Sequence, residues 1–123
     1  MTQPFVLSMN NASTVAGKHK PDQCDMAVLM SGGVDSSTTA LLLQEAGWRV
    51  LGVTMRIPAA GGECLSHDVS AADKAAAVCR TLDIPHVVLD TREAFKQLVI
   101  DRFRLAYAGG KTPNPCVDCN AAL

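Results

Sequence analysis

Alternating apolar runs and helical patterns predict an α/β fold, a doubly wound parallel sheet with helices covering its faces. Three observations carry that expectation. Met26 to Met30, Trp48 to Ile57 and His86 to Asp90 are apolar or β-branched runs of strand length. Helical patterns separate them through short connections, the order that builds a parallel sheet from crossover units. A turn rich in glycine and serine, Ser31-Gly32-Gly33-Val34-Asp35-Ser36-Ser37, stands at the end of the first run. Such sheets bind ligands beyond the carboxyl ends of their strands.

Taken in order, residues 1–25 mix Asn, Ser, Thr, Lys and Pro without sustained periodicity, so they are expected to form a mobile N-terminal extension without chemistry. A single folded domain is expected to occupy 26–123. Met26 to Met30 is the first strand, and Ser36 to Ala46 a helix with Gly47 as its C′ residue. Trp48 to Ile57 is a second buried strand that Pro58 stops. Ala59 to His67 is a glycine-containing loop, followed by an alanine-dominated helix over Val69 to Leu82, with Pro85 marking the next boundary. His86 to Asp90 is the third strand. Arg92 to Ala108 is a longer helix that places Phe95, Leu98, Val99, Phe103 and Ala106 at i, i+3, i+4 spacing, and Gly109-Gly110 ends it. A further helix is expected to begin at Asn120. Three strands are few for this architecture, so the chain reads as the first part of a larger protein, incomplete at its C-terminus. The exposed apolar face and open strand edge of such a piece favour association or low stability.

The 123 residues allow at most one domain, and 48% apolar with 19% charged residues is the composition of a chain that buries a core. No apolar run approaches the ~20 residues of a membrane span, and the N-terminus lacks a secretory pattern, so no membrane partner is expected and a cytoplasmic location is the default. A net charge of −1 gives no global case for nucleic acid. Locally, Arg92 to Leu123 carries five basic against three acidic residues, a weak excess of the kind a solvated helix face usually shows.

The glycine turn carries the most chemistry. Without Cβ atoms, Gly32 and Gly33 let the backbone turn tightly and present N–H groups to an anion, while Ser36 and Ser37 open a helix whose unpaired amides add positive potential. These features point to an ATP-type ligand; the alternative is an ordinary turn that caps a helix. A Walker A loop would need a Lys before its Ser/Thr, and a dinucleotide fingerprint would need a third glycine where Ser36 stands.

Five cysteines in a chain without a secretory signal point to metal binding or sulfur chemistry rather than a disulfide framework. Cys79 sits in the alanine-rich helix as a small core residue, and Cys24 in the irregular leader. Cys64, Cys116 and Cys119 fall in loop-like sequence. Pro113 and Pro115 beside Cys116-Val117-Asp118-Cys119 are expected to hold a rigid, extended loop that presents thiols. His19, His67 and His86 read as isolated surface or core histidines, and Asp68 and Asp73 as solvated helix-start charges.

Ser31 to Ser37 resembles the SGG-x-DS loop of ATP pyrophosphatases, which cleave ATP between its α and β phosphates and pass AMP to an oxygen of the substrate. Joined to Gly110-Lys111-Thr112-Pro113-Asn114-Pro115 and Cys119-Asn120, it is similar to the bacterial tRNA-uridine 2-sulfurtransferases (2-thiouridylases). The likeness runs from about Asp25 to Asn120 and includes LGVTMRI and LDIPH. It implies the adenine-nucleotide alpha-hydrolase, Rossmann-like fold, with ATP and Mg2+ as cofactors, tRNA as substrate, and a persulfide donor or relay protein as sulfur source.

Position by position, the resemblance implies that Leu29, Met30, Ser31, Gly32, Gly33, Val34, Asp35 and Ser36 hold ATP, with Met55 against its adenosine part. Asn114, Pro115 and Cys116 would lie against the target base, and Cys119 would be the nucleophile that delivers sulfur. The alternative for Cys119 is a buried apolar thiol. Many family members carry Asp where this chain has Cys116, which leaves a positioning or acid/base role there open. The resulting CxxC also permits iron-sulfur ligation by Cys116 and Cys119 with Cys64 as a third ligand, although CxxC supplies only two of about four ligands. The family's second catalytic cysteine and its tRNA-gripping domains would lie beyond Leu123, so the isolated chain is expected to be inactive. Two other readings stay open: an adenylating enzyme of the same fold with a different acceptor, and a nucleotide- or metal-binding module without catalysis.

Overall fold

The computed structural model describes residues 12–58 and 70–122. The loop expected at Ala59 to His67, with Cys64, His67 and Asp68, lies outside the described residues. The sheet contains strands β1 (Ala12–Val15), β2 (Met26–Leu29), β3 (Val50–Arg56) and β4 (His86–Asp90) in the order β1-β4-β3-β2. β2, β3 and β4 are parallel, with Val28 opposite Gly52 and Gly52 opposite His86, as the alternation of strand and helix predicts.

Within the expected N-terminal extension, β1 takes a place in the sheet. It pairs antiparallel with β4, Ala12 opposite Leu89 and Thr14 opposite Val87, and so covers an edge that the parallel strands would leave open. Its four residues show no periodicity, because an edge strand is defined by the partner it meets. Past it, Lys18 N–H donates to Asp83 O at 3.0 Å, and Pro21–Gln23 forms a single 3-10 turn.

Helix α1 (Val34–Glu45) connects β2 to β3, and α2 (Ala71–Leu82) leads into β4. Both pack on β3 and on each other, so they share one face of the sheet. Gly47 follows α1 at φ 91°, in the C′ place expected for it. α2 starts at a true cap: Ser70 Oγ accepts the Asp73 N–H at 3.2 Å and donates to the Asp73 carboxylate at 2.6 Å. Its Ala72, Ala75, Ala76 and Cys79 form one buried seam of small residues. Smallness matters there because a Cβ on Gly52 of β3 would stand 2.6 Å from the Cys79 sulfur. The core gathers Val28, Met30, Ala40, Val50, Ala75, Cys79 and Ile84, with Leu43, Val78 and Leu82 against it.

The long helix expected over Arg92 to Ala108 is interrupted. α3 (Arg92–Phe95) passes through a π-helical segment, Lys96–Ile100, into α4 (Asp101–Ala108). The wider turn admits one extra residue and rotates the helix beyond it, so a strict i, i+3, i+4 face does not carry through. Ala94 and Val99 are buried, while Phe103 stacks on Tyr107 at the helix surface, ring centroids 6.0 Å apart.

Helix α5 (Pro115–Ala122) replaces the extended loop expected around the CxxC and starts five residues before Asn120. The residues that suggested rigidity are helix-start residues. Asn114 Oδ1 accepts the Cys116 N–H at 3.1 Å, and Pro115 stands in the first turn, where its missing N–H costs nothing.

Candidate functional site

The site grows out of the carboxyl end of β2. Met30 N–H donates to Val53 O at 2.7 Å, the last rung of pairing, and the chain then turns into α1 within three residues. Gly32 takes φ 79°, where a side chain is strained. A Cβ there would also lie 2.5 Å from Lys74 Cβ and 3.1 Å from Ala75 N, so the first turn of α2 closes the same space. Gly33 is the N-cap of α1 and brings no side chain to the cap.

Hydroxyls tie the turn together. The Ser31 N–H donates to Ser36 Oγ at 3.3 Å, and the Gly33 N–H to Ser31 Oγ at 3.3 Å. Ser37 Oγ donates to Gly33 O at 2.6 Å. The first amides of α1 thus have no capping side chain and face outward beside two serine hydroxyls, an arrangement suited to a polyanion. Val34 and Asp35 are exposed there, and Ser36 is half-buried. Leu29 is exposed and Met30 buried, so Met30 can serve a ligand only through its backbone. Met55 lies exposed near the carboxyl end of β3, opposite Leu89, on the same edge of the sheet as the loop.

Behind the turn lies a buried polar pair that the residue pattern alone does not single out. Thr54 Oγ1 donates to Met30 O at 2.8 Å, and His86 Nε2 stands 2.8 Å from the same hydroxyl. His86 is 0% exposed, and its Nδ1 has no partner among the described residues. Burial, with a smaller effect of the Arg80 charge, holds the imidazole below its ordinary pKa. A lone Thr inside VLGVTMR and a His opening a strand were the available signals. Thr91 makes a comparable tie, its N–H and Oγ1 both reaching Arg56 O, at 3.1 and 3.0 Å, and so joins the end of β3 to α3.

The cysteines separate by environment. Cys79 is sealed in the core, where burial pushes its thiol up to about 11. Cys24 is tucked against Lys20 O and Val50 O, and burial raises it as well. Cys116 is exposed and Cys119 half-buried, one helical turn apart on α5, and all four are free thiols. α5 packs on the Lys96–Ile100 segment, so the π-helical stretch is the support of the CxxC. Among the described residues no group of three His, Cys, Asp or Glu gathers to hold a metal, and Cys116 with Cys119 supplies only two ligands of the cluster considered from sequence.

Among the described residues two ion pairs brace the frame. Arg49 binds Asp25 in bidentate fashion, at 2.8 and 2.6 Å, and holds that carboxyl down at about 2. Arg92 does the same to Asp90 where β4 passes into α3, also to about 2.

Three parallel strands, the first ending in a glycine turn that opens a helix, define an α/β domain. Residues 24–123 match the tRNA methyl transferase HUP domain, and the chain belongs to that family. Over 111 residues it is 44% identical to the tRNA-specific 2-thiouridylase MnmA of Rhizobium etli, covering 85% of this chain and 26% of the relative. The protein of that name from Anaplasma marginale is 45% identical over 122 residues, 94% of this chain and 30% of its own length. The one from Clostridium beijerinckii is 49% identical over 102 residues, 76% and 28% respectively. The chain therefore spans between a quarter and a third of the length of these relatives.

Proposed function

We propose that the chain is the nucleotide-holding portion of an enzyme that replaces the C2 oxygen of the tRNA wobble uridine with sulfur, at the expense of MgATP. The observation that carries the reading is the turn at Gly32, where backbone conformation and the approach of α2 leave room only for glycine, directly before the uncapped amides of α1. The names of the relatives support tRNA thiolation over another acceptor.

A uridine carbonyl oxygen is a poor leaving group. Attack of that oxygen on the α-phosphorus of MgATP breaks the α–β bond and releases pyrophosphate, whose charge the Gly32, Gly33 and α1 amides stabilise. Leu29 to Ser36 hold the phosphates through the backbone and the serine hydroxyls, and Met55 lies against the adenosine. The terminal sulfur of a persulfide on Cys119 then attacks C2, AMP leaves with the oxygen, and the base stays joined to Cys119 through a disulfide. One thiol of an added dithiol reductant attacks Cys119 Sγ and releases the 2-thiouridine, and its second thiol resolves the mixed disulfide and restores Cys119. The resemblance favours Cys119 for this task, one helical turn from the exposed Cys116, which lines the base-binding side with Asn114 and Pro115. A sulfur-relay protein supplies the persulfide, and the reaction belongs in the cytoplasm with tRNA.

The 123 residues are the ATP-binding front part and need the remainder of the enzyme to turn over. The test is thiolation of a tRNA transcript with MgATP and a persulfide donor, assayed on the isolated chain and on a protein of the relatives' full length carrying this segment. Activity only in the long protein, lost on Cys119→Ser, supports the reading. Full activity of the long C119S protein overturns it.

A further inference from the structure

The buried pair Thr54 and His86 has no place in the chemistry above, yet it is built at a cost. Packing alone would favour apolar residues in this core, since a buried nitrogen without a partner is destabilising. Three facts give the pair a direction. The Thr54 hydroxyl carries one proton, and Met30 O can only accept, so that proton goes to Met30 O. The hydroxyl then accepts from His86, which fixes the ring as the Nε2–H tautomer and leaves Nδ1 an acceptor without a partner among the described residues. Finally, the peptide between Met30 and Ser31 is trans and planar, so its carbonyl and its N–H point in opposite directions.

We infer that Thr54, held by His86, is a positioning residue for the phosphate turn: by binding the Met30 carbonyl on the core side, it points the Ser31 N–H outward to where the phosphate is held. The Ser31 N–H does point to the turn, donating to Ser36 Oγ at 3.3 Å, a long bond that an anion can replace or share. Freed from Thr54, the Met30–Ser31 peptide can rotate, and a carbonyl turned outward would repel the ligand. Neighbouring rungs, Met30 N–H to Val53 O and Gly33 N–H to Ser31 Oγ, are made by other groups, so the effect is local to one peptide plane. Neither residue touches the nucleotide in this arrangement.

The inference rests on the nucleotide reading, and the test separates the two. Pyrophosphate is titrated into the nitrogen-15-labelled chain, and the affinity is measured by calorimetry. The expected result is movement of the Ser31 amide signal together with those of Gly33 and Val34. Thr54→Val should weaken binding about tenfold, the scale of one misdirected bond to a charged group, whereas Thr54→Ser, which keeps the hydroxyl, should bind like the wild type. His86→Phe keeps the Thr54 hydroxyl but frees its orientation, and should fall between. If Gly33 and Val34 respond in the wild type while Ser31 does not, or if folded T54V binds as tightly as wild type, the positioning role is overturned and the nucleotide reading stands. If no amide of the turn responds in the wild type, the nucleotide reading fails and the positioning role falls with it.

Discussion

At the scale of single residues, Gly32 and His86 carry the most testable physics. Gly32→Ala forces a Cβ into a left-handed conformation, at about 1–2 kcal/mol, and into contact with Lys74 Cβ. A lower urea midpoint is therefore expected for G32A, with loss of any nucleotide affinity. His86 is buried and neutral, with its folded pKa below the unfolded value near 6.5. Its contribution is therefore fully present above pH 6.5 and lost as pH falls towards the folded pKa, because the unfolded chain takes up the proton first. Urea unfolding at pH 7.5 and 5.5 should show wild type losing more stability than His86→Gln, by at most about 1.4 kcal/mol per pH unit. Equal pH dependence of the two proteins would remove His86 from the explanation. The two sites also show what single residues disclose. Glycine in SGG-x-DS announces its backbone role in any context, whereas the significance of Thr54 and His86 depends on two strands lying side by side, which their own neighbours in sequence do not encode.

Among the elements, the strands and helices with strong local signals are legible. β4 covers the residues expected, and α2 begins two residues inside the expected span, where Ser70 supplies the cap. The differences have local causes. β1 pairs with β4 alone, and the π-helical segment Lys96–Ile100 packs against α5, contacts that neither segment's own residues announce. The start of α5 has a sequence signal, since Asn-Pro before an ordinary run is a helix start, but the prolines of TPNP fit an extended loop equally well. Asn114 now has two candidate duties, capping α5 and facing the base. Asn114→Ala should destabilise α5 by about 1 kcal/mol, measured as faster amide exchange over Cys116 to Asn120. Asn114→Asp keeps the cap, so exchange should return to the wild-type rate; a slow-exchanging N114A would show that the cap contributes nothing.

On the scale of the whole molecule, the sheet is finished on one side only. β1 covers β4, while β2 has no partner on its outer edge among the described residues. Leu29 of that strand is 65% exposed and Met26 is exposed as well, and on α1 Leu42 is 58% exposed. Unpaired strand groups beside apolar surface favour association. The isolated chain should accordingly show a mass that rises with concentration in light scattering, and Leu42→Lys should lower that tendency without unfolding the chain. A strictly monomeric wild type across the same range would contradict it.

The proposed nucleotide reading stands on the glycine turn at Ser31 to Ser37, and MgATP titration of the nitrogen-15-labelled chain tests it most directly. The expected result is saturable movement of the amide signals from Ser31 to Ser37, with Met55 responding as well and the Cys79 core unmoved. A folded chain in which MgATP leaves those signals in place, or moves only signals elsewhere, would contradict it.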